Sequence, residues 1–114
     1  FNRDERKSIE LKRVENLKHI YTSELLIYLE KELPGATIIL FGSYWFGEDI
    51  FTSDIDLAVI GRKDKILQLN KFESSLNRKI NINFYASFKN INEYLKNNIL
   101  RGIILEGVVE LWKK

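Results

Sequence analysis

Two aspartates in the middle of the chain are the residues whose type and spacing best predict chemistry. Asp54 and Asp56 lie two positions apart in an apolar run that ends at Ile60. Side chains alternate between the faces of a β-strand, so both carboxylates should point to the same side. Adjacent carboxylates resist ionisation unless a cation lies between them, and Mg²⁺ prefers such oxygen ligands. The pair therefore predicts a Mg²⁺ (or Mn²⁺) site completed by substrate phosphates.

A glycine and a serine follow the preceding apolar run, which spans residues 38–41 and predicts the first strand. Gly42 allows the backbone to turn sharply and to approach an anion closely. If Ser43 begins a short helix that ends at Phe46, its hydroxyl and the backbone N–H groups there can hold a phosphate. Together with the aspartates, this bend predicts a site for a nucleotide.

The combination of Gly42-Ser43, ten intervening residues and Asp54-Ile55-Asp56 resembles the signature of the DNA polymerase β-like nucleotidyltransferases. The surrounding residues, Gly-Ser-Tyr and Ser-Asp-Ile-Asp-Leu, are similar to those of the small stand-alone branch, the minimal nucleotidyltransferases. The resemblance implies an α+β nucleotidyltransferase fold, a small mixed sheet of three to four strands flanked by helices. It also implies catalytic, metal-binding roles for Asp54 and Asp56, and binding of NTP phosphates by Gly42 and Ser43.

The same resemblance implies a third carboxylate on the third strand, where it is the candidate base for the attacking hydroxyl. This chain has Asn81 at the position that aligns, with Asn83 as the other choice. An amide can offer a carbonyl oxygen to a metal, but it has no negative charge and accepts no proton. We therefore expect a slow enzyme whose second, nucleophile-side metal ion binds weakly.

Two further features concern the surroundings of this site. Trp45 and Phe46 occupy positions where the minimal branch usually has Ala-Arg. The rings either pack against the first helix or form a wall for a base or a contact for a partner, and we expect packing for one and exposed contact for the other. The basic residues of 62–65, Arg62, Lys63 and Lys65, are either solvated surface or a group at the open end of the cleft that meets a triphosphate or an acidic acceptor.

Apolar periodicity predicts the remaining elements. These are a leading helix from Arg6 to Glu32 with a break near Thr22-Ser23, a helix from Lys63 to Asn77, a strand at 80–85, a helical region from Phe88 to Leu105 capped by Ser87, and either a short final strand or an extended tail at 108–112. Pro34-Gly35 should end the first helical region, and Gly107 the last.

Length and composition predict one domain spanning residues 1–114. Its parts are a leading helical region (1–33), a sheet with the active site (36–86) and a C-terminal helical region with a tail (87–114). The 45% hydrophobic and 30% charged residues are typical of a soluble globular protein. No apolar run reaches the ~18 residues of a membrane span, and cysteine is absent, so we expect a cytoplasmic protein without disulfides. A chain that begins with Phe1 and has no Met suggests an upstream segment.

Three functions compete at this stage. The first is a Mg²⁺-dependent enzyme that moves an NMP from an NTP such as ATP to a hydroxyl on a protein or RNA acceptor; the resemblance implies a small helical HEPN partner, with this chain as the antitoxin of a HEPN/MNT pair. The second is a catalytically degenerate module that binds a nucleotide or a partner. The third is a structural domain, in which Gly42-Ser43 is an ordinary turn and Asp56 lies on an edge strand. The apolar end around Trp112 is either packing or a homodimer contact.

Overall fold

A computed structural model describes residues 3–47 and 53–109. The helices are α1 (Arg3–Thr22), α2 (Leu25–Glu32), α3 (Ser43–Phe46), α4 (Asn70–Leu76) and α5 (Glu93–Leu100), and the strands are β1 (Thr37–Phe41), β2 (Ile55–Ile60), β3 (Ile80–Tyr85) and β4 (Ile103–Glu106). A 3₁₀ turn, Phe88–Asn90, precedes α5. Among these helices, none is both long and apolar enough to span a membrane. The α+β class with a mixed sheet is confirmed.

The four strands form one sheet in the order β3-β2-β1-β4. β1 is antiparallel to both β2 and β4, whereas β2 and β3 run parallel. The last residue of β1, Phe41, therefore lies at the same edge as the first residues of the other strands, Ile55, Ile80 and Ile103. We call this the site edge, because Gly42, Ser43, Asp54, Asp56 and Asn81 lie on it or beside it.

Alternation along the strands divides the core between the two faces of the sheet. One face packs on α1, α2, α3 and α4 through buried residues that include Ile38, Leu40, Leu57, Val59, Ile20, Leu25, Leu29, Tyr44 and Phe72. The other face packs on the 3₁₀ turn and α5 through Ile39, Phe41, Ala58, Phe88, Ile91 and Ile99. Asp56 lies between Ile55 and Leu57 of the first layer, so its carboxylate is on the α5 face.

The predicted break in the leading helix is confirmed at Ser23. Its hydroxyl donates to the Ile20 carbonyl at 2.7 Å, and Glu24 takes a left-handed conformation with φ 66°. The predicted apolar stripe is only partly buried, because α1 makes its main contacts with the short helix α3. Ile20 is fully buried, but Val14 and Tyr21 are exposed.

The predicted helix at 63–77 is too long, because α4 begins only at Asn70. The residues before it follow the surface instead, where the hydroxyl of Tyr28 in α2 accepts a hydrogen bond from the Gln68 N–H at 2.7 Å. Ile66, placed on the predicted apolar stripe, is 91% exposed. The hydrogen bond from the Gln68 N–H to Tyr28 of α2 is therefore formed in place of the first turns of the predicted helix.

The C-terminal prediction needs a larger correction. The region from Phe88 to Leu105 is not one helical segment, because α5 ends at Leu100 and Ile103–Glu106 forms β4 against β1. A Cβ added at Gly102 would stand against the Leu40 carbonyl and 3.0 Å from Phe41 Cβ, so the chain crosses onto the sheet where only glycine fits. The sheet thus extends past the predicted region 36–86.

The capping of this region also differs from the prediction. The side chain of Asn92, not Ser87, caps α5 by accepting from the Leu95 N–H at 2.9 Å. Ser87 instead donates to the Asn90 side chain at 2.7 Å. Of the two alternatives for 108–112, the final strand is wrong for Val108 and Val109, which belong to no strand, and the remaining residues lie outside the described part of the chain.

Candidate active site

The two aspartates converge at the site edge. Asp56 is the second residue of β2, and Asp54 directly precedes that strand. The side-chain amide of Asn81 donates to Asp54 Oδ2 at 2.9 Å and to Asp56 Oδ1 at 3.1 Å, so both carboxylates face one small volume. Because β2 lies between β1 and β3, the alternative of aspartates on a solvent-facing edge strand is wrong.

The glycine of the bend lies directly against Asp56. Gly42 has φ 83° and ψ −176°, a conformation that favours glycine, and a Cβ there would stand against Asp56 Oδ2 and 3.2 Å from Asp56 Cβ. Ser43 begins α3, as expected, and the Phe46 N–H closes this helix on the Gly42 carbonyl at 3.0 Å. We call Gly42-Ser43 the Gly-Ser bend. The fold thus brings the bend and the acid pair together, while their roles stay predictions.

Asn81 occupies the third position of this cluster. It pairs with Asp56 in the parallel register of β2 and β3, which is the place predicted for it, whereas Asn83 pairs with Ala58 farther along the strand. Of the two candidates for the aligned position, Asn81 is therefore the one beside the acids. Its amide group takes the place that a third carboxylate would have.

The electrostatics of the cluster disfavour charge on Asp56. Partial burial raises the pKa of the Asp56 carboxyl above its ordinary value, the hydrogen bond from Asn81 lowers it, and the charge of Asp54 raises it further. The net direction is upward, because a single amide dipole does not replace a full positive charge. A cation at this point would reverse the balance.

The donor set fits a hard cation held by few protein groups. Between residues 3–47 and 53–109, no three or more His, Cys, Asp or Glu side chains form a cluster able to bind a metal. Two carboxylates are nevertheless sufficient for Mg²⁺, which keeps several waters and takes phosphate oxygens from a substrate. The Asn81 amide can also turn its oxygen towards a cation. Asp54 and Asp56 are therefore suited to bind Mg²⁺ or Mn²⁺ together with a nucleotide.

A buried asparagine of α1 holds the short helix after the bend. Asn16 is 4% exposed, and its Nδ2 donates to the Tyr44 carbonyl at 2.8 Å, while the Tyr44 hydroxyl donates to the Asn16 carbonyl at 3.3 Å. Arg13 Nε donates to the Phe46 carbonyl at 3.1 Å. A four-residue helix cannot satisfy these carbonyls internally, so α1 does it. Asn16 was not among the residues predicted from sequence, although its position, four residues before Ile20 on the apolar stripe of the helix, indicates a polar side chain on the buried face.

An arginine connects the segment before Asp54 to the start of β3. The Arg78 guanidinium lies 5.1 Å from the Tyr44 ring centroid, and its Nη1 donates to the Ser53 carbonyl at 3.0 Å. It therefore fixes the approach to Asp54 from the side of β3. No local sequence signal predicts this contact, since it joins positions that meet only through the parallel pairing.

The two rings after the bend are both half-buried and make different contacts, while the exposed contact expected for one of them stays a prediction. Trp45 packs against the main core cluster, and its Nε1 donates to the Arg101 carbonyl at 3.3 Å. Phe46 is half-buried, and the guanidinium of Arg101 lies 4.8 Å from its ring centroid. Trp45 thus packs on the core, while the Phe46 ring contacts the guanidinium of Arg101 at the site edge.

The prediction that the basic cluster 62–65 lies at the open end of the cleft is wrong. The cluster follows the far end of β2, and the strand runs about 13 Å from Asp56 to its last residue, Ile60, before the cluster begins. Arg62 there donates to the Pro34 carbonyl at 3.1 Å, and Lys65 pairs with Glu32 at 3.4 Å. Periodicity locates the strand but not the edge at which the site opens.

Comparison with known families agrees with this geometry. The family model described as Polymerase beta, Nucleotidyltransferase matches residues 23–109, which include all four strands, the Gly-Ser bend, both aspartates and Asn81. The chain belongs to this nucleotidyltransferase family. None of the curated proteins compared with it matches. Helix α1 lies before the matched residues, although it supplies Asn16 and Arg13 to the support of the bend, and assignment to the minimal branch stays a prediction.

Proposed function

We propose that this nucleotidyltransferase transfers an NMP from an NTP such as ATP to a hydroxyl on a protein or RNA acceptor, with Mg²⁺ or Mn²⁺ as cofactor. The observation that carries the proposal is the contact between Gly42 and Asp56, together with the Asn81 amide shared by both aspartates. These contacts place the Gly-Ser bend, which a phosphate can approach closely, beside the two aspartates, which can bind a cation. A cytoplasmic location belongs to the same proposal.

Each residue of the cluster has a role that its chemistry supports. The Gly42 backbone and the Ser43 hydroxyl hold the β- and γ-phosphates, and Asp54 and Asp56 hold the cation. When bound, that cation would neutralise the negative charge of the triphosphate during the transfer of the α-phosphoryl group. The acceptor oxygen bonds to the α-phosphorus as the bond to the bridging oxygen breaks, and pyrophosphate leaves.

The hydroxyl proton has no protein base at Asn81 and passes to solvent. A missing general base costs about 10²- to 10⁴-fold in rate, whereas alignment and charge neutralisation supply most phosphoryl-transfer catalysis. The proposed enzyme is therefore slow but active. The partner of this reaction is a HEPN-like helical protein, for which the chain acts as antitoxin, or an RNA.

A second candidate function has its own supporting observation. The Asn81 amide already donates to both carboxylates, so the acid pair is satisfied without metal. A catalytically degenerate module that binds a nucleotide or a partner would keep such a contact. Nucleotide binding without transfer distinguishes this module from the enzyme.

The test is incubation with α-labelled NTPs, Mg²⁺ or Mn²⁺, and either cell RNA or a co-expressed helical partner. Transfer of label that is lost in the Asp54→Ala, Asp56→Ala double variant supports the enzyme. Asp64→Ala is the matched control, since Asp64 is exposed in the segment after β2. NTP-dependent thermal stabilisation without transfer supports the binding module. If neither label transfer nor stabilisation is observed, both functions are refuted.

A further inference from the structure

Three arginines bring positive charge to the site edge around the Gly-Ser bend. Two of them are half-buried and bonded to backbone: Arg13 to the Phe46 carbonyl at 3.1 Å and Arg78 to the Ser53 carbonyl at 3.0 Å. Both hold the loops in place. The third, Arg101, is exposed and has a different environment.

The Arg101 guanidinium is available to a ligand. Within residues 3–47 and 53–109 it takes part in no hydrogen bond or ion pair, and it lies 4.8 Å from the Phe46 ring centroid. A guanidinium over a ring is held by attraction to the π-face while its N–H groups stay free to donate. Phe46 therefore orients Arg101 without using its donors.

The backbone of Arg101 is fixed relative to the bend. Its N–H donates to the Asn97 carbonyl at 3.3 Å, and its carbonyl accepts from Trp45 Nε1 at 3.3 Å. The next residue, Gly102, lies against β1 at Leu40. The guanidinium is thus attached to the same β1 and α3 residues that form the bend.

We propose that Arg101 binds the terminal phosphates of the nucleoside triphosphate and sets the preference for a triphosphate over a monophosphate. This inference rests on the proposed function. A triphosphate has more negative charge than one Mg²⁺ neutralises, and guanidinium binds phosphate oxygens in a bidentate manner. Since Arg13 and Arg78 bond to backbone, Arg101 is the arginine at this edge that the fold leaves to the ligand.

The test compares dissociation constants for Mg²⁺-NTP and for AMP, by calorimetry, in the wild type, Arg101→Gln and Arg62→Gln. The four nucleoside triphosphates are the probes, and the one bound most tightly is used. Arg62→Gln is the matched control, because Arg62 is also an arginine close to the surface but lies at the opposite edge of the sheet. We expect Arg101→Gln to weaken NTP binding about 10- to 100-fold, the range of a hydrogen bond to a charged group. AMP binding and the Arg62→Gln values should stay unchanged.

A rescue experiment separates ligand binding from a structural role. Phe46→Arg in the Arg101→Gln background returns a guanidinium to the place where the ring now holds one, and it should recover part of the NTP affinity. The inference alone is overturned if Arg101→Gln binds NTP like Arg62→Gln, or if NTP and AMP affinities fall equally. A wild type that binds no NTP overturns both this inference and the proposed function.

Discussion

Replacing Asn81 by aspartate is the perturbation that most sharply probes the chemistry of the cluster. In the wild type, one amide donates to Asp54 at 2.9 Å and to Asp56 at 3.1 Å. Asn81→Asp removes both hydrogen bonds and places a third carboxylate beside the other two. The variant should therefore be less stable than the wild type without metal, but it should bind metal more tightly.

The magnitude follows from the lost bonds and the new repulsion. A hydrogen bond to a charged group contributes about 1.5–3 kcal/mol, and two carboxylates about 4 Å apart repel by about 4 kcal/mol at an effective dielectric constant near 20. The three side chains are half-exposed, so solvent screens the repulsion and one carboxylate takes up a proton. We expect a net loss of about 2–4 kcal/mol in the free energy of unfolding at neutral pH without metal.

Metal should reverse this loss. A third carboxylate should lower the dissociation constant for Mg²⁺ at least tenfold, so saturating Mg²⁺ should stabilise the variant by about 1.4 kcal/mol more than the wild type. If the new carboxylate also takes the acceptor proton, NMP transfer should become about 10²- to 10⁴-fold faster.

The assay is urea unfolding in EDTA and in Mg²⁺, followed by label transfer. Asn83→Asp is the matched control, because Asn83 is exposed on the same strand but pairs with Ala58, away from the acids. Asn83→Asp adds the same charge as Asn81→Asp, but the new carboxylate does not lie beside Asp54 and Asp56. Equal responses of Asn81→Asp and Asn83→Asp to Mg²⁺ would refute a metal site at this cluster. So would an Asn81→Asp variant that is more stable than the wild type in EDTA.

Three smaller perturbations test the supports of the site. Gly42→Ala should cost at least about 1–3 kcal/mol in urea unfolding, since φ is 83° and the new methyl meets the neighbouring carboxylate; equal stability would contradict the close contact. Asn16→Ala should cost about 1–3 kcal/mol, because it leaves the buried Tyr44 carbonyl without its 2.8 Å donor, and hydrogen exchange should rise in α3. A hydrogen bond with Glu106 raises the pKa of Glu30, so the folded state binds that proton more tightly than the unfolded chain and stability declines as pH rises through that pKa. Glu30→Gln should flatten this decline in unfolding measured between about pH 4 and 8, and an unchanged slope would refute it.

The acid pair and the bend could be predicted from sequence because their signals are local. Strand alternation alone places Asp54 and Asp56 on one side, and a glycine after an apolar run is sufficient to predict a bend. The family signature further predicts that the acid pair and the bend belong to one site. The structure agrees with each of these placements.

The misplaced features depend on contacts between distant segments. Ile99, Ile103 and Ile104 have helical spacing, yet 103–106 forms a strand, because β1 offers an unpaired edge and Gly102 fits against it. The cluster 62–65 has the charge expected of a phosphate site, but the direction of β2 carries it to the opposite edge. Arg101, which we propose binds phosphate in its place, is distant in sequence from every motif residue and is recognisable only through its contact with the Phe46 ring.

We propose above all that the acid pair and the Gly-Ser bend form one cation and triphosphate site. Titration of the isotope-labelled protein with Mn²⁺, followed by amide NMR, tests it most directly, because the paramagnetic ion broadens the nearest signals first. We predict that Gly42, Asp54 and Asp56 broaden first and that NTP strengthens the effect. Broadening that begins at the other acid pair, Glu30 and Glu106, or that is uniform along the chain would contradict the account.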